Sequence, residues 1–203
     1  DNNPLNPVIN TRSFGGSPDN VAQKVIAYSR GLEEGGVLSV SKHFPGHGDT
    51  NVDSHKALPV LNFSRERLDS IEMYPFRKAV EQGLGGVMVG HLDVPALSKK
   101  ISSLSPEIVG ILKDEWKFKG LVFTDALVMK GVSNNANVSA QALIAGNDLL
   151  LVPTNLKREL DAVLVAVKNG QLTEESITER CRKVLTFKYV LGLHDRKPVQ
   201  MSG

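Results

Sequence analysis

Fourteen consecutive residues, Lys42 to His55, read KHFPGHGDTNVDSH and hold three histidines, one lysine and two aspartates. A buried core cannot hold so many titratable groups without a partner for each, and a solvated loop does not need Phe44, Pro45, Gly46 and Gly48 to shape it so tightly. The segment reads as an active-site loop. Within it Asp53 stands two residues before His55, so in an extended stretch the two side chains share a side. The carboxylate can then accept the ring N–H, fix the tautomer and raise the basicity of the other nitrogen. That is an acid/base pair. The plainer reading, a surface turn at Asp53 beside a solvated His55, suits the triplet alone but not the triplet that follows KHFPGHGDT.

Lys42 and His43 follow the apolar run Val37-Leu38-Ser39-Val40. Successive strand residues point to opposite faces, but at a strand end the backbone can turn to present both. Two donors there suit a hydroxyl-rich ligand; a structural salt bridge is the alternative. His47 shapes its loop or ligates a metal. The His43–His47 spacing would suggest zinc on a helix, which Pro45 and Gly46 forbid, so no metal is assigned. Asp125, after Val122-Phe123-Thr124, is an acid at the end of a buried strand. It either caps the next helix or serves as a nucleophilic carboxylate kept ionised by donors around it. Met129 walls the site or packs the core. His91 donates to a ligand or is a satisfied core histidine. Arg12, in Asn10-Thr11-Arg12-Ser13-Phe14-Gly15, binds a ligand oxygen or braces a loop.

The elements that must position these residues alternate. Asp19 or Asn20 is expected to cap a helix over Val21, Val25, Ile26 and Tyr28, stopped by Gly35-Gly36. A strand over Val37 to Lys42 follows, then a helix through Leu68, Ile71, Tyr74, Phe76 and Val80, and a strand at Val87-Met88-Val89. Ser105-Pro106 opens a helix through Ile108 and Leu112, Leu121-Val122-Phe123 is a strand, Ala140 to Ala145 is helical and Leu149 to Val152 is a strand. Helices over Leu156 to Lys168 and Glu174 to Leu191 follow, the last patterned at Ile177, Cys181, Val184, Leu185 and Tyr189. Short apolar strands alternating with helices imply an α/β fold with a parallel sheet and helical crossovers. Lys42 and His43, His91, Asp125 and Thr154 all fall just past the apolar part of a strand, where such folds place functional groups. A complete eight-stranded barrel needs about 250 residues. Four units predict an incomplete barrel or a smaller open sheet, and the abrupt start favours a fragment.

Composition narrows the function classes. The chain has 203 residues, 41% hydrophobic and 23% charged, which excludes disordered and fibrous classes. Its 24 Lys and Arg are scattered against 22 Asp and Glu, so nucleic acid is not expected as a partner. Cys181 is the single cysteine; it allows no internal disulfide and reads as a half-buried helix residue. No apolar run approaches a membrane span.

The blocks KHFPGHG and DSH, with TRSFG, GHLDVPAL, VFTDALVMKG, LIAGNDLLLVP and ITERCRKVLTFKYVLGL, resemble successive blocks of the family 3 glycoside hydrolases, in their β-N-acetylhexosaminidase branch. The resemblance implies a (β/α)8 TIM-barrel-like fold, with residues 1–193 its C-terminal half to two-thirds and residues 194–203 a linker or tail. It implies a retaining β-N-acetylglucosaminidase acting on peptidoglycan fragments or chitin-type oligosaccharides. Asp125 then matches the nucleophile, His55 the acid/base and Asp53 the carboxylate orienting it. Lys42, His43 and Arg12 match sugar-contacting positions, and His91 matches a position lining the site. No cofactor is implied, and the partners are a glycan and an N-terminal barrel segment upstream of Asp1. The 203 residues alone are therefore expected to be poorly stable and inactive. Two alternatives remain: phosphorolysis, since a neutral histidine repels phosphate less than a carboxylate does, and a non-catalytic carbohydrate-binding fragment.

Overall fold

Each strand of the sheet pairs with its neighbour in sequence. The computed structural model describes Asn3, residues 6–50 and residues 57–195. Among these, β1 (Val40–Phe44), β2 (Gly86–Val89), β3 (Leu121–Ala126) and β4 (Leu149–Leu151) form one parallel sheet in the order β1-β2-β3-β4. Parallel neighbours cannot be joined by a tight turn, and helices make the crossovers. α1 (Pro18–Glu34) precedes β1; α2 (Arg65–Arg67), a π-helical segment over Leu68–Glu72 and α3 (Tyr74–Glu81) lead to β2. α4 (Pro106–Gly110) and a second π-helical segment, Ile111–Glu115, lead to β3, and α5 (Lys130–Ser133) and α6 (Val138–Ile144) lead to β4. α7 (Leu156–Lys168) and α8 (Glu174–Val190) follow. This is the parallel α/β pattern of a TIM-barrel-like domain.

Several boundaries differ from the sequence reading for local reasons. Ser17, not Asp19 or Asn20, caps α1: its side chain accepts from the Asn20 N–H, and Pro18 opens the helix. β1 starts at Val40 rather than Val37, because the Val37 N–H is spent on Leu32 O, closing the end of α1. The helix predicted through Leu68 and Val80 is interrupted ahead of Pro75, which has no N–H to donate into the preceding turn. Ser105 caps α4 as expected, accepting from the Ile108 N–H. Cys181 is exposed, not half-buried, because α8 buries none of its residues.

One face of the sheet makes the core. Phe44, Val87, Val89 and Val122 pack with Leu68, Met73, Phe76, Ile108 and Leu112 of the crossovers. The Phe44 ring meets Phe76 and Trp116 edge-on, at centroid distances of 5.4 and 5.6 Å. Lys42 pairs with Met88 and Met88 with Phe123, so these three share the other face, and Asp125 follows two residues beyond Phe123. That second face is less covered: Met88, Phe123 and Asp125 are all half-buried.

The N-terminal end of the sheet is tied by charge. Asp148 is buried ahead of β4, accepts the Val122 N–H at 2.9 Å, and meets Lys113 at 2.6 Å and Lys183 at 2.8 Å. Arg180 adds a second tie, donating to Asn147 O at 3.0 Å and Leu143 O at 2.9 Å. These contacts hold α8 to the sheet, and the GND portion of LIAGNDLLLVP thus has a structural role.

Candidate active site

The motif loop gains its shape from β1. Pairing with β2 slips by one residue between Lys42 and Phe44, so His43 is inserted between two residues that point to opposite faces. The slip turns the imidazole toward the same face as Lys42 and Asp125. His43 Nε2 lies 3.7 Å from Asp125 Oδ2, just outside hydrogen-bond reach. Gly90 leaves the room required, since a Cβ there would stand 3.1 Å from the His43 Cβ.

Arg12, Lys42 and His43, which the sequence places far apart or on alternating faces, line one cavity of about 420 Å³ between α1, β1 and the loop after it. Arg12 lies in a short 3-10 turn, Asn10–Arg12, and its guanidinium donates to Val8 O at 3.2 Å, so it braces its own loop while lining the cavity. Lys42 is exposed. Asp125 is not among the residues lining that cavity; it stands beyond His43, with Oδ1 accepting the Ala126 N–H at 2.8 Å.

His43 is neutral near pH 7. Burial lowers its pKa to about 4; nearby Asp125 opposes the shift, while His47, Lys42 and Arg12 add to it. The contact with Asp125 is therefore not an ion pair at neutral pH. The folded-state pKa lies below the unfolded value, so the unfolded chain takes up a proton first as the pH falls. The stability contributed by the neutral ring is complete above about pH 6.5 and is lost as the pH drops toward 4. In His43→Gln the stability curve should be flatter across that window by chemical denaturation; parallel curves for the two proteins would refute the assignment.

The loop is anchored by residues that the sequence reading did not single out. Buried Asn6 donates to His47 O at 2.7 Å and Gly48 O at 3.0 Å, and its side-chain oxygen accepts the N–H groups of Val8 and Ile9. Arg67 bridges Asp49 at 2.8 Å and Glu72 at 3.1 Å. Glu72 packs against Gly46, where a Cβ would fall 2.7 Å from its own Cβ and φ is +141°, so only glycine fits. Burial raises the pKa of Glu72. A buried Asn beside Pro7 and an Arg–Glu pair five residues apart are weak sequence signals, because Asn6 acts on backbone from the motif loop and Arg67 on the Asp49 carboxylate, both distant in sequence.

His91 sits at the satisfied end of its two readings. Its Nδ1 meets Ser103 Oγ at 2.7 Å and its Nε2 meets Ala126 O at 3.1 Å, with the residue 1% exposed. Neither nitrogen is left for a ligand. Met129 is buried, and its N–H donates to Ala126 O. Asp53 and His55 lie outside the described residues. Among the described residues, no group of three or more His, Cys, Asp or Glu is placed to hold a metal ion, and no helix is long and apolar enough to cross a membrane.

The sequence and the fold are similar to those of known proteins. Residues 1–187 match the model of the glycosyl hydrolase family 3 N-terminal domain. The chain is 31% identical to beta-hexosaminidase A of Pseudoalteromonas piscicida, over 92% of its own length and 36% of the relative's. It superposes on the family 3 beta-N-acetylglucosaminidase of Paenibacillus sp. str. FPU-7 with a TM-score of 0.93 and 40% identity, covering 100% of this chain and 40% of that one. It is also similar to the beta-glucoside phosphorylase BglX, with a TM-score of 0.90, 30% identity, and coverage of 97% and 38%. The chain thus spans well under half the length of each. With a parallel α/β sheet, a motif loop after β1 and a family match over nearly its whole length, the chain belongs to glycoside hydrolase family 3.

Proposed function

We propose that the protein containing this chain is a retaining β-N-acetylglucosaminidase that removes terminal N-acetylglucosamine from peptidoglycan fragments or chitin-type oligosaccharides. The observation carrying this reading is the placement of Asp125. It is a carboxylate at the C-terminal end of β3, with one oxygen held by the Ala126 N–H and the other turned toward His43. In the first step an Asp125 oxygen bonds to the anomeric carbon while the glycosidic C–O bond breaks, and His55, oriented by Asp53, protonates the departing oxygen. In the second, His55 takes a proton from water, whose oxygen displaces Asp125. Arg12, Lys42 and His43 contact sugar hydroxyls. The resemblance of KHFPGHG and DSH to the hexosaminidase branch supports the assignment of His55 and Asp53.

Residues 1–193 are, in this reading, the C-terminal portion of the barrel domain, and residues 194–203 a linker. Support comes from the edges of the sheet, since β1 and β4 each pair on one side only among the described residues. The stripe of Leu156, Leu160 and Leu164 on α7, at 72%, 54% and 58% exposure, also suits a surface that further barrel units would cover.

The test is product analysis with the complete protein on 4-nitrophenyl β-N-acetylglucosaminide and on the matching glucoside. The expected result is a preference for the N-acetyl substrate and N-acetylglucosamine released first as the β-anomer by NMR. Equal or better glucoside cleavage, or an initial α-anomer, rejects the reading. Similarity to a phosphorylase favours phosphorolysis as the second reading. Its signature is N-acetylglucosamine 1-phosphate formed when phosphate is added.

A further inference from the structure

We infer that His91 is a positioning residue for Asp125, acting through the Ala126 backbone as the single neutral tautomer that the Ala126 carbonyl selects and the Ser103 hydroxyl braces. The inference rests on the reading of Asp125 as the nucleophile.

Both backbone polar groups of Ala126, which lie in successive peptide units, are engaged. The N–H is spent on Asp125 Oδ1 at 2.8 Å, and the carbonyl accepts from His91 Nε2 at 3.1 Å and from the Met129 N–H at 3.0 Å. A carbonyl can only accept, so Nε2 carries the proton. Nδ1 is then the acceptor, and the Ser103 hydroxyl donates to it. Ser103 is itself buried, and its carbonyl accepts from the Asn147 side chain at 2.8 Å. Burial lowers the His91 pKa, which favours the neutral ring. The chain of contacts runs from the turn before β4, through the segment after β2, to the end of β3. It fixes the Ala126 carbonyl, and through it the residue whose N–H donates to one Asp125 oxygen, without touching substrate.

Fixing that residue matters because attack on an anomeric carbon needs the other Asp125 oxygen in line, and small misplacements cost rate steeply. A His91 side chain that only filled space would instead be replaceable by any residue of similar volume.

The experiment compares His91→Gln, His91→Asn, His91→Leu and Ser103→Ala in the complete protein, with Asp125→Ala as control. A Gln amide N–H can reach where Nε2 stands, whereas an Asn amide reaches only to Nδ1. His91→Gln is expected to keep kcat within about 3-fold, and His91→Asn and His91→Leu to lose about 10- to 100-fold in kcat with KM within about 2-fold. Ser103→Ala should lose less, because the Ala126 carbonyl still selects the Nε2–H tautomer and only the brace at Nδ1 is lost. Folded Asn and Leu variants with unchanged kcat, or Gln losing as much as Leu, overturn the inference. If the Leu variant does not fold, the comparison of Gln with Asn decides. An active Asp125→Ala protein would instead remove the nucleophile reading beneath it.

Discussion

Replacing Asp125 by alanine is expected to lower kcat by about 10⁴- to 10⁶-fold, the scale seen when an enzyme loses its covalent nucleophile. Substrate binding should persist, because Arg12, Lys42 and His43 line a cavity that Asp125 does not. The fold should persist as well: the carboxylate is half-buried on the less covered face of the sheet, and its removal leaves only the Ala126 N–H without that partner. Azide added to the variant should enter the vacated space and restore turnover, giving a glycosyl azide of inverted configuration. If the variant retains more than about a hundredth of the parent turnover, Asp125 is not the nucleophile.

Asp148→Ala should be the most damaging change to stability, at about 3–5 kcal/mol, because it leaves two part-buried ammonium groups facing each other without their shared carboxylate. It also removes the acceptor for the Val122 N–H at the start of β3. Burial alone would raise the Asp148 pKa, but Lys113 and Lys183 together hold it below the ordinary carboxylate value. The folded pKa is thus the lower of the two. The stability this gives is present above about pH 4 and is lost as the pH falls through the folded value. Denaturant unfolding should show both the loss at pH 7 and a shallower acid limb in the variant. A loss under about 1 kcal/mol would mean that the lysines find other partners.

Much of the architecture could be read from residue types. Short apolar runs bounded by Gly and followed by polar residues marked all four strands, and Ser105-Pro106 marked a helix start. Harder to read was anything set by a partner distant in sequence. Ser17 outcompeted Asp19 and Asn20 as a cap because Pro18 fixed the first helical position, a choice between neighbours with similar chemistry. The one-residue slip in β1 depends on its pairing with β2. His91 had two readings until Ser103 and Ala126 were placed at its two nitrogens. Asp148 sat unremarked in LIAGNDLLLVP because its lysines come 35 residues away on either side. Arg12, Lys42 and His43 were grouped by the family resemblance, since the sequence alone left Arg12 open, and they line one cavity because the chain brings a 3-10 turn beside β1.

The sequential order of the strands bears on how the molecule is made. Among the described residues each strand pairs with the one synthesised just before it, so none of these pairings waits for a distant segment to emerge. Ribosomal synthesis can extend such a sheet one unit at a time. Asp125 then reaches its working position only after β1 has already presented Lys42 and His43, and the Asn147 contact to the segment behind His91 is added a unit later.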